Sequence, residues 1–306
     1  MRIIKIPKGH GEFRTIYAPS RGEKRKYRAA LPELMRIERE AARNLGVAHV
    51  AHGFIEGRSP VTCAREHIGM AVTLSIDLSN WFDSVQPDQI SHGARLAGSR
   101  QNHYSPQSFL KLGEMLCIDG APRQGLPTSP TAANLAAVEF DKLLLYHLGK
   151  IQNATTTYTR YADDLTISFR DAVPHFTIDG TIWMVQTVAH GFQWKIAEHK
   201  TRIQYASQGR REIVGISVGP SDIRPTRETR RRLRALEHAG TEPNRARGLS
   251  EWCKLRLPRA ARRPTRIICL GDSPARIKPK LAEDATTLVL AAPGAPLATG
   301  RTIRLD

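Results

Sequence analysis

The stretch Tyr158-Thr-Arg-Tyr-Ala-Asp-Asp-Leu-Thr-Ile-Ser168 decides the fold. Residues 155–161 and 165–169 are rich in Thr, Tyr, Ile and Phe, and the second run alternates apolar with hydroxyl side chains, which is typical of β-strands. Between the two runs, Ala162 and Asp163 predict a tight turn, because Asp tolerates unusual backbone angles. The sequence therefore predicts a β-hairpin with two adjacent carboxylates at its tip.

These carboxylates, Asp163 and Asp164, repel each other, and the pair makes chemical sense if divalent cations sit against it. Mg²⁺ takes oxygen ligands and usually keeps substrate phosphates in its coordination shell. A solvated acidic turn is the simpler interpretation of an Asp-Asp pair taken alone. The rest of the chain favours the metal interpretation.

The charge of the chain points to a polyanionic partner. Its 306 residues include 46 Lys and Arg against 29 Asp and Glu, a net charge of +17, while hydrophobic (41%) and charged (25%) fractions are ordinary for a globular protein. From Arg224 to Arg266, fourteen basic residues accompany four Glu, so this segment carries +10 of the net charge. A second basic cluster lies at residues 21–28. We expect a nucleic-acid partner.

A membrane is the other polyanion that would attract such a chain. No apolar run approaches the ~20 residues of a spanning helix, and residues 1–8 lack the apolar region of a signal peptide. The four cysteines have no CxxC spacing, which favours buried thiols in a reducing cytoplasm over a zinc site. They are Cys63, Cys117, Cys253 and Cys269.

A second acidic strand precedes the hairpin. In Ala71–Leu78, apolar residues alternate with Thr, Ser and Asp, so one face is apolar and Asp77 ends the strand on the polar face. Phe82 follows the carboxylate by five residues. Alone, Asp77 would be a cap or turn residue, but the acidic hairpin follows it along the chain.

Further elements flank these strands. Residues 3–7 and 13–17 predict two strands around a glycine turn, with Arg14 directed into a cleft. Helices are predicted at 26–45, 183–190, 227–238 and 245–257, and one strand at 212–218. The tight turn 123–127 carries Gln124, and Ser129 predicts the N-cap of a helix that has Pro130 at its first position and runs to about Leu148.

Several motifs together resemble bacterial retron-type reverse transcriptases. Tyr161-Ala-Asp-Asp164 resembles the family's catalytic hairpin, and Gln124-Gly-Leu-Pro-Thr-Ser-Pro130 resembles its Gln-Gly-x-Pro-Thr-Ser-Pro turn. Asp77 with Phe82 resembles its first catalytic strand. Lys200-Thr-Arg, Ala51-His-Gly-Phe and Gly248-Leu-Ser-Glu-Trp-Cys-Lys-Leu also match, and the resemblance covers roughly residues 3 to 258.

The resemblance implies an α+β, right-hand polymerase fold with fingers, a palm built on an antiparallel sheet, and a helical thumb. It places the fingers at 1–70, with further elements in about 86–120, and the palm at 71–85 and 121–222. The basic helical thumb is then 223–264. Residues 265–306 form a C-terminal extension for which we predict no role.

The same resemblance implies the site. Its catalytic residues would be Asp77, Asp163 and Asp164. Its metal ligands would be these three residues and Leu78, and they would hold two Mg²⁺ ions, for which Mn²⁺ can substitute. Nucleotide contacts fall on Phe82, which excludes a 2′-OH and so selects dNTPs, and on Gln124, Arg14 and Lys200. The thumb would bind the duplex through Arg227, Arg230, Arg231, Arg234 and Lys254, reading A-form shape and phosphates.

For function, the resemblance implies a bacterial, cytoplasmic RNA-directed DNA polymerase that copies a structured non-coding RNA. Priming from a guanosine 2′-OH would give branched RNA-DNA (msDNA), in anti-phage defence with an effector protein. The chain departs from the family pattern at three places, and the first two, in regions associated with the family's own structured RNA, leave recognition of a cognate retron RNA open. Cys63 stands where the family usually has Asn in Asn-Ala-x-x-His, Ile213-Val-Gly215 replaces Val-Thr-Gly, and Arg123 replaces the Pro before Gln124.

Other classes remain to be weighed. One is a non-retron defence reverse transcriptase with different priming, and another is an RNA-binding scaffold that has lost catalysis, which the intact Asp77, Asp163, Asp164 and Phe82 disfavour. A group II intron enzyme is disfavoured because there is no Cys/His-rich nuclease end. Phe82 and Tyr161-Ala disfavour an RNA-dependent RNA polymerase.

Overall fold

The computed structural model describes residues 1–9, 12–98, 106–240 and 242–254. The strands are β1 (Arg2–Gly9), β2 (Glu12–Ala18), β3 (Val72–Asp77), β4 (Thr156–Tyr161), β5 (Asp164–Phe169), β6 (Arg202–Tyr205), β7 (Arg211–Ile213), β8 (Ile216–Val218) and β9 (Ile223–Pro225). The helices are α1 (Arg21–Asn44), α2 (Pro60–Arg65), α3 (Trp81–Ser84), α4 (Pro87–Arg95), α5 (Pro106–Leu116), α6 (Ser129–Leu148), α7 (His175–Gly191), α8 (Arg227–Ala239) and α9 (Pro243–Cys253). The mixture of helices and antiparallel sheet confirms the predicted α+β class.

A four-stranded antiparallel sheet in the order β4-β5-β3-β6 lies at the centre and is called the palm sheet here. In β3 and β5, Val72 pairs with Phe169, and the register runs to Asp77 opposite Asp164. Because directly opposed residues share a face, the apolar side chains of both strands lie on one face and the hydroxyl and carboxylate side chains on the other.

The apolar face of the palm sheet forms the main core with the long helices. Val72, Leu74 and Ile76 of β3 are at most 1% exposed, as are their partners on β5. They share this core with α6 and α7, and α6 is buried on nearly every side because its sequence is apolar and Ala-rich. The sheet is therefore held from behind by α6, which is also packed against α1 and α4.

Two smaller sheets flank the palm sheet. The hairpin β1–β2 stands apart as a two-stranded sheet, which confirms the predicted N-terminal strands. The strands β7, β8 and β9 form a three-stranded sheet that, together with α2, encloses a second core. Within the described residues, none of the helices is long and apolar enough to cross a membrane.

Several predicted boundaries were wrong. Helix α1 begins at Arg21, five residues early, because Ser20 and Glu23 form a capping box. The N-cap of α6 is Thr128, and the Ser129 hydroxyl instead donates to the carbonyl of Arg123. Helix α7 covers 175–191 rather than 183–190, and α9 begins at 243.

The strand predicted at 212–218 is two strands. Val214 and Gly215 both have positive φ (46° and 73°) and form the two-residue turn between β7 and β8. A β-branched residue rarely adopts this conformation, so Val214 gave no turn signal. The structure ends α9 at Cys253, whereas the prediction extended this helix to residue 257. Residues 255–257, Cys269 and the extension 265–306 lie outside the described residues.

Candidate active site

The predicted hairpin is confirmed, and its tip is the two-residue turn Ala162-Asp163 between β4 and β5. The residue with positive φ is Ala162 (57°), not Asp163. Gly53 lies against this turn so closely that a Cβ there would be 2.4 Å from the backbone nitrogen of Ala162. The His52 N–H also donates to the Arg160 carbonyl at 2.7 Å. Residues 51–53 therefore hold the hairpin tip in place.

The structure brings the three predicted carboxylates to one end of the palm sheet. Asp77 and Asp164 are directly opposite across β3 and β5. The Leu78 N–H donates to the main-chain carbonyl of Asp163 at 3.0 Å, which fixes the hairpin tip to the end of β3. The Leu78 side chain is buried, so this residue offers a metal only its main-chain carbonyl oxygen.

At this end of the palm sheet the ionised forms of Asp163 and Asp164 are disfavoured. Burial raises the pKa of Asp163, and the negative charge of Asp77 raises it further, while Lys200 and Arg14 oppose the shift. Burial, followed by the charges of Asp163 and Asp77, raises the pKa of Asp164 to about 6. A cation at this end would relieve the repulsion.

Two of the predicted nucleotide contacts supply positive charge here. The Lys200 Nζ donates to Asp77 Oδ2 at 2.9 Å, and this hydrogen bond raises the pKa of Lys200. Arg14 is exposed on β2 and acts on Asp163 through its charge. Positive charges of β2 and of the segment after α7 therefore both act on the carboxylates.

The oxygen ligands at this end suit a cation whose remaining coordination positions are filled by substrate and water. Among the described residues, no group of three or more His, Cys, Asp or Glu side chains is arranged to hold a metal ion. Mg²⁺ is commonly bound by one or two carboxylates together with substrate phosphates and water. Asp77, Asp163 and the Leu78 main chain supply carboxylate and carbonyl oxygens of this kind, and the hydrogen bond from Leu78 to Asp163 holds them at the same end of the palm sheet, where both aspartates are partly exposed.

Phe82 lies in α3, the single turn that follows β3. Its ring is half-buried, packed edge-on to Phe54 at 6.2 Å between centroids and tilted against Trp81 at 5.5 Å. Trp81 is 2% exposed and anchors α3 in the main core. Aromatic neighbours on two sides restrict the Phe82 ring.

The turn that carries Gln124 is hydrogen-bonded to β2 of the N-terminal hairpin. The Tyr17 N–H donates to the Gln124 carbonyl at 2.7 Å. Gly125 has φ 105°, and a Cβ there would be 2.4 Å from the Tyr17 carbonyl oxygen, so only glycine fits. This pairing leaves Gln124 half-buried beside β2.

The predicted nucleic-acid contacts lie on α8 and at the end of α9. Thr226 caps α8, and Gly240 ends it in the left-handed conformation. The four predicted arginines of α8 are exposed, and none of them forms an ion pair within the described part of the chain; they are Arg227, Arg230, Arg231 and Arg234. Lys254 pairs with Glu251 at 2.6 Å, so its charge is partly satisfied.

A buried ion pair beneath the hairpin was missed by the sequence analysis. Arg160 is 1% exposed, points to the apolar side, and makes three hydrogen bonds of 2.8–3.1 Å to Asp141 of α6. Tyr158 donates to the same carboxylate at 2.8 Å. An Arg within a strand and an Asp within an apolar helix were the available signals, because such charges are buried only in pairs.

Two of the family departures meet in the second core. Cys63 (0% exposed) of α2 and Ile213 (1% exposed) of β7 pack in one cluster, with Tyr161 and Trp252 against its edge. The burial that surrounds Cys63 raises the pKa of its thiol to about 12, so it is a packing residue. Sequence reasoning singled out both departures but could not show that they are neighbours.

The site geometry agrees with the comparisons to known proteins. A family model described as reverse transcriptase (RNA-dependent DNA polymerase) matches residues 6–231. Two similar curated proteins are from Myxococcus xanthus: the Retron Mx65 reverse transcriptase, 29% identical over 85% of this chain and 62% of that protein, and the Retron Mx162 reverse transcriptase, 32% identical over 76% and 51%. The Retron Ec86 reverse transcriptase of Escherichia coli is 31% identical over 55% and 48%. The chain thus spans about half to three fifths of the length of these relatives.

Among solved structures, telomerase from Candida albicans in complex with a TWJ fragment of telomeric RNA is similar, with a TM-score of 0.54 and 12% identity over 74% of this chain and 45% of that one. This likeness shows the shared polymerase fold. The retron-type resemblance predicted from the motifs is confirmed by the curated relatives. With most of its length matched by the family model, the chain belongs to the reverse transcriptase (RNA-dependent DNA polymerase) family.

Proposed function

We propose that the chain is a retron-type RNA-directed DNA polymerase that copies a structured non-coding RNA into DNA. One observation carries the proposal: Asp77, Asp163 and Asp164 converge at one end of the palm sheet, where burial and mutual repulsion raise the pKa of the last two. Such a cluster is suited to the cations and triphosphate of nucleotidyl transfer. Similarity to the retron enzymes supports the choice of template and product.

In this proposal Asp77 and Asp163, with the Leu78 carbonyl, hold two Mg²⁺ ions, and Asp164 supports them. Bound there, such ions would supply Lewis-acid activation of the primer hydroxyl and charge stabilisation of the departing oxygen, and Mn²⁺ would substitute. The hydroxyl oxygen forms a bond to the α-phosphorus, the bond to the bridging oxygen breaks, and pyrophosphate leaves while the proton passes to water. Lys200 exchanges its bond to Asp77 for the triphosphate, which Arg14 also contacts.

Nucleotide choice falls to residues beside the carboxylates. The restricted Phe82 ring lies under the incoming sugar and excludes a 2′-OH, so dNTPs are used in preference to NTPs. Gln124 contacts the nucleotide or template from its turn. The unpaired arginines of α8, with Lys254, bind the phosphates of the duplex that leaves the site.

Similarity to retron enzymes also bears on the primer and on a protein partner. We propose that synthesis begins at a guanosine 2′-OH of the copied RNA, which gives branched RNA-DNA, and that the product acts with an effector protein in anti-phage defence. Resemblance to retron enzymes supports these steps. The departures at Cys63 and Ile213 lie together in the second core.

The test is to purify the protein from cells that carry its native flanking DNA and to extract the bound nucleic acid. Separate samples are treated with RNase, DNase and debranching enzyme. A discrete DNA joined to RNA through a debranchable linkage is the expected result. Linear or protein-linked DNA would contradict retron priming while leaving the polymerase, as for a non-retron defence reverse transcriptase. An absence of DNA would contradict the proposal and favour an RNA-binding scaffold.

A further inference from the structure

The residue before Gln124 is an arginine whose guanidinium makes three hydrogen bonds, one from each nitrogen. Arg123 Nη1 donates to Asp83 Oδ1 at 2.8 Å, Nε to the Ile118 carbonyl at 2.9 Å, and Nη2 to the Asp119 carbonyl at 2.8 Å. The guanidinium also lies over the Tyr17 ring, with its carbon 5.7 Å from the ring centroid. The side chain is 20% exposed. One side chain therefore joins three parts of the chain that are distant in sequence.

Each of these parts adjoins a residue of the proposed nucleotide site. Asp83 follows Phe82 directly in α3, and Tyr17 donates its N–H to the carbonyl of Gln124. The main-chain carbonyl of Arg123 accepts from the Ser129 hydroxyl at 2.7 Å, which ties the same turn to the start of α6. Arg123 thus precedes Gln124 in the chain, and its ion-pair partner Asp83 directly follows Phe82.

Helix α3 needs such an external tie. It has four residues, its N-cap Asn80 lies in the left-handed region with φ 48°, and no side-chain cap bond is formed there. A helix of one turn is not stable alone. Trp81 anchors one side of α3 in the core, and the Asp83–Arg123 pair is the polar side-chain tie that the structure shows on the other side.

We propose that Arg123 is a positioning residue that sets the distance between the Phe82 ring and the Gln124 turn and so controls discrimination between deoxyribonucleotides and ribonucleotides. This inference rests on the proposed function. A planar guanidinium is required, because a lysine has one nitrogen and cannot serve Asp83 and two carbonyls in fixed directions. Loss of the tie lets α3 move away from the turn, so the ring no longer lies close under the sugar.

The test measures kcat and KM for dTTP and for UTP on one primed RNA template containing adenine. We expect Arg123→Ala and Asp83→Asn each to lower the dTTP/UTP ratio of kcat/KM roughly tenfold, mainly by lowering the KM for UTP. The double variant should equal the single variants, because both remove one tie. Arg123→Lys should retain only part of the discrimination.

A matched control is available in Arg210→Ala. Arg210 likewise donates to an aspartate, Asp222, at 2.7 Å and to the Ser217 carbonyl at 3.0 Å, but in the β7–β9 sheet. This variant should leave the dTTP/UTP ratio unchanged. Phe82→Ala serves as the reference for lost discrimination.

The outcomes separate this inference from the proposed function. If Arg123→Ala lowers kcat/KM for both nucleotides equally and leaves the ratio unchanged while Phe82→Ala changes it, Arg123 is only structural and the inference is overturned. If the wild-type protein extends the primer with neither nucleotide, the proposed function itself fails.

Discussion

The two ends of the palm sheet's polar face differ in how their polar side chains are satisfied: by hydrogen bonds at the closed end, and with remaining charge repulsion at the open end. At the closed end the His67 ring bonds to Ser168 and Thr159 at 2.8 Å, and Arg211 donates to Thr73 at 2.9 Å. At the open end Asp77, Asp163 and Asp164 repel one another. Thr73 lies four positions before Asp77 along β3, a separation of about 13 Å. At the closed end the polar groups are satisfied within the protein, whereas at the open end Lys200 pairs with Asp77 and the repulsion among the three carboxylates remains for a bound cation to relieve.

Removing a carboxylate from the open end should have the largest effect. Asp163→Asn should lower DNA synthesis by at least about a thousandfold, because a charge needed in the transition state is lost. The free energy of unfolding should stay equal or rise, since repulsion with Asp77 is removed. Primer extension and urea unfolding measure the two quantities.

The exposed Asp171 at the far end of β5 provides the matched control. Asp171→Asn makes the same chemical change without touching the open end, so both activity and stability should remain at wild-type values. Equal activity losses in the two variants would contradict the division of roles between the ends.

Breaking the buried pair on the opposite face of the palm sheet should cost stability. Asp141→Asn leaves Arg160 as a buried cation with weaker partners and weakens the bond from Tyr158. We expect the free energy of unfolding to fall by about 3 to 5 kcal/mol, as measured by urea unfolding. Asp179→Asn, at an exposed position on α7, should change it by less than about 0.5 kcal/mol. A loss below about 1 kcal/mol for Asp141→Asn would show that the pair is not a structural anchor.

Acid should weaken the closed end by a smaller amount. Burial, and after it the charge of Arg211, lowers the pKa of His67 to about 3. Below the unfolded-state pKa of about 6.5, the unfolded chain takes up a proton that the folded His67 refuses, so stability falls as the pH falls. The wild-type loss should exceed that of His67→Gln by about 1.4 kcal/mol between pH 7.5 and 5.5.

That difference is measured by urea unfolding of both proteins at pH 7.5, 6.5 and 5.5. Carboxylates that titrate in this range, Asp164 among them, are common to both proteins and cancel in the difference. Parallel pH dependences for the two proteins would contradict the assignment of a neutral, buried His67.

The parts of the fold that sequence predicts are those set by local pattern. The alternation in β3 and β5 and the Ala162-Asp163 turn identified the open end, with Asp77 as its third carboxylate. Family motifs added Phe82 and Gln124, which composition alone would not single out.

The remainder depends on contacts between distant segments. No local pattern pairs Arg160 with Asp141, or places Cys63 beside Ile213. The break at Val214 was missed because a β-branched residue is strained at positive φ, and only tertiary packing against the second core accounts for it. The closed end was missed for the same reason, since His67 and Arg211 come from outside the palm sheet.

The most direct test of the open end as a catalytic metal site is to count bound Mn²⁺ by electron paramagnetic resonance. The protein is held with a primed RNA template and a non-hydrolysable dNTP, and free Mn²⁺ is titrated. Two bound ions per wild-type chain, and fewer than one for Asp163→Asn with Asp171→Asn unchanged, are the predicted result. Equal Mn²⁺ binding by wild type and Asp163→Asn would contradict the account.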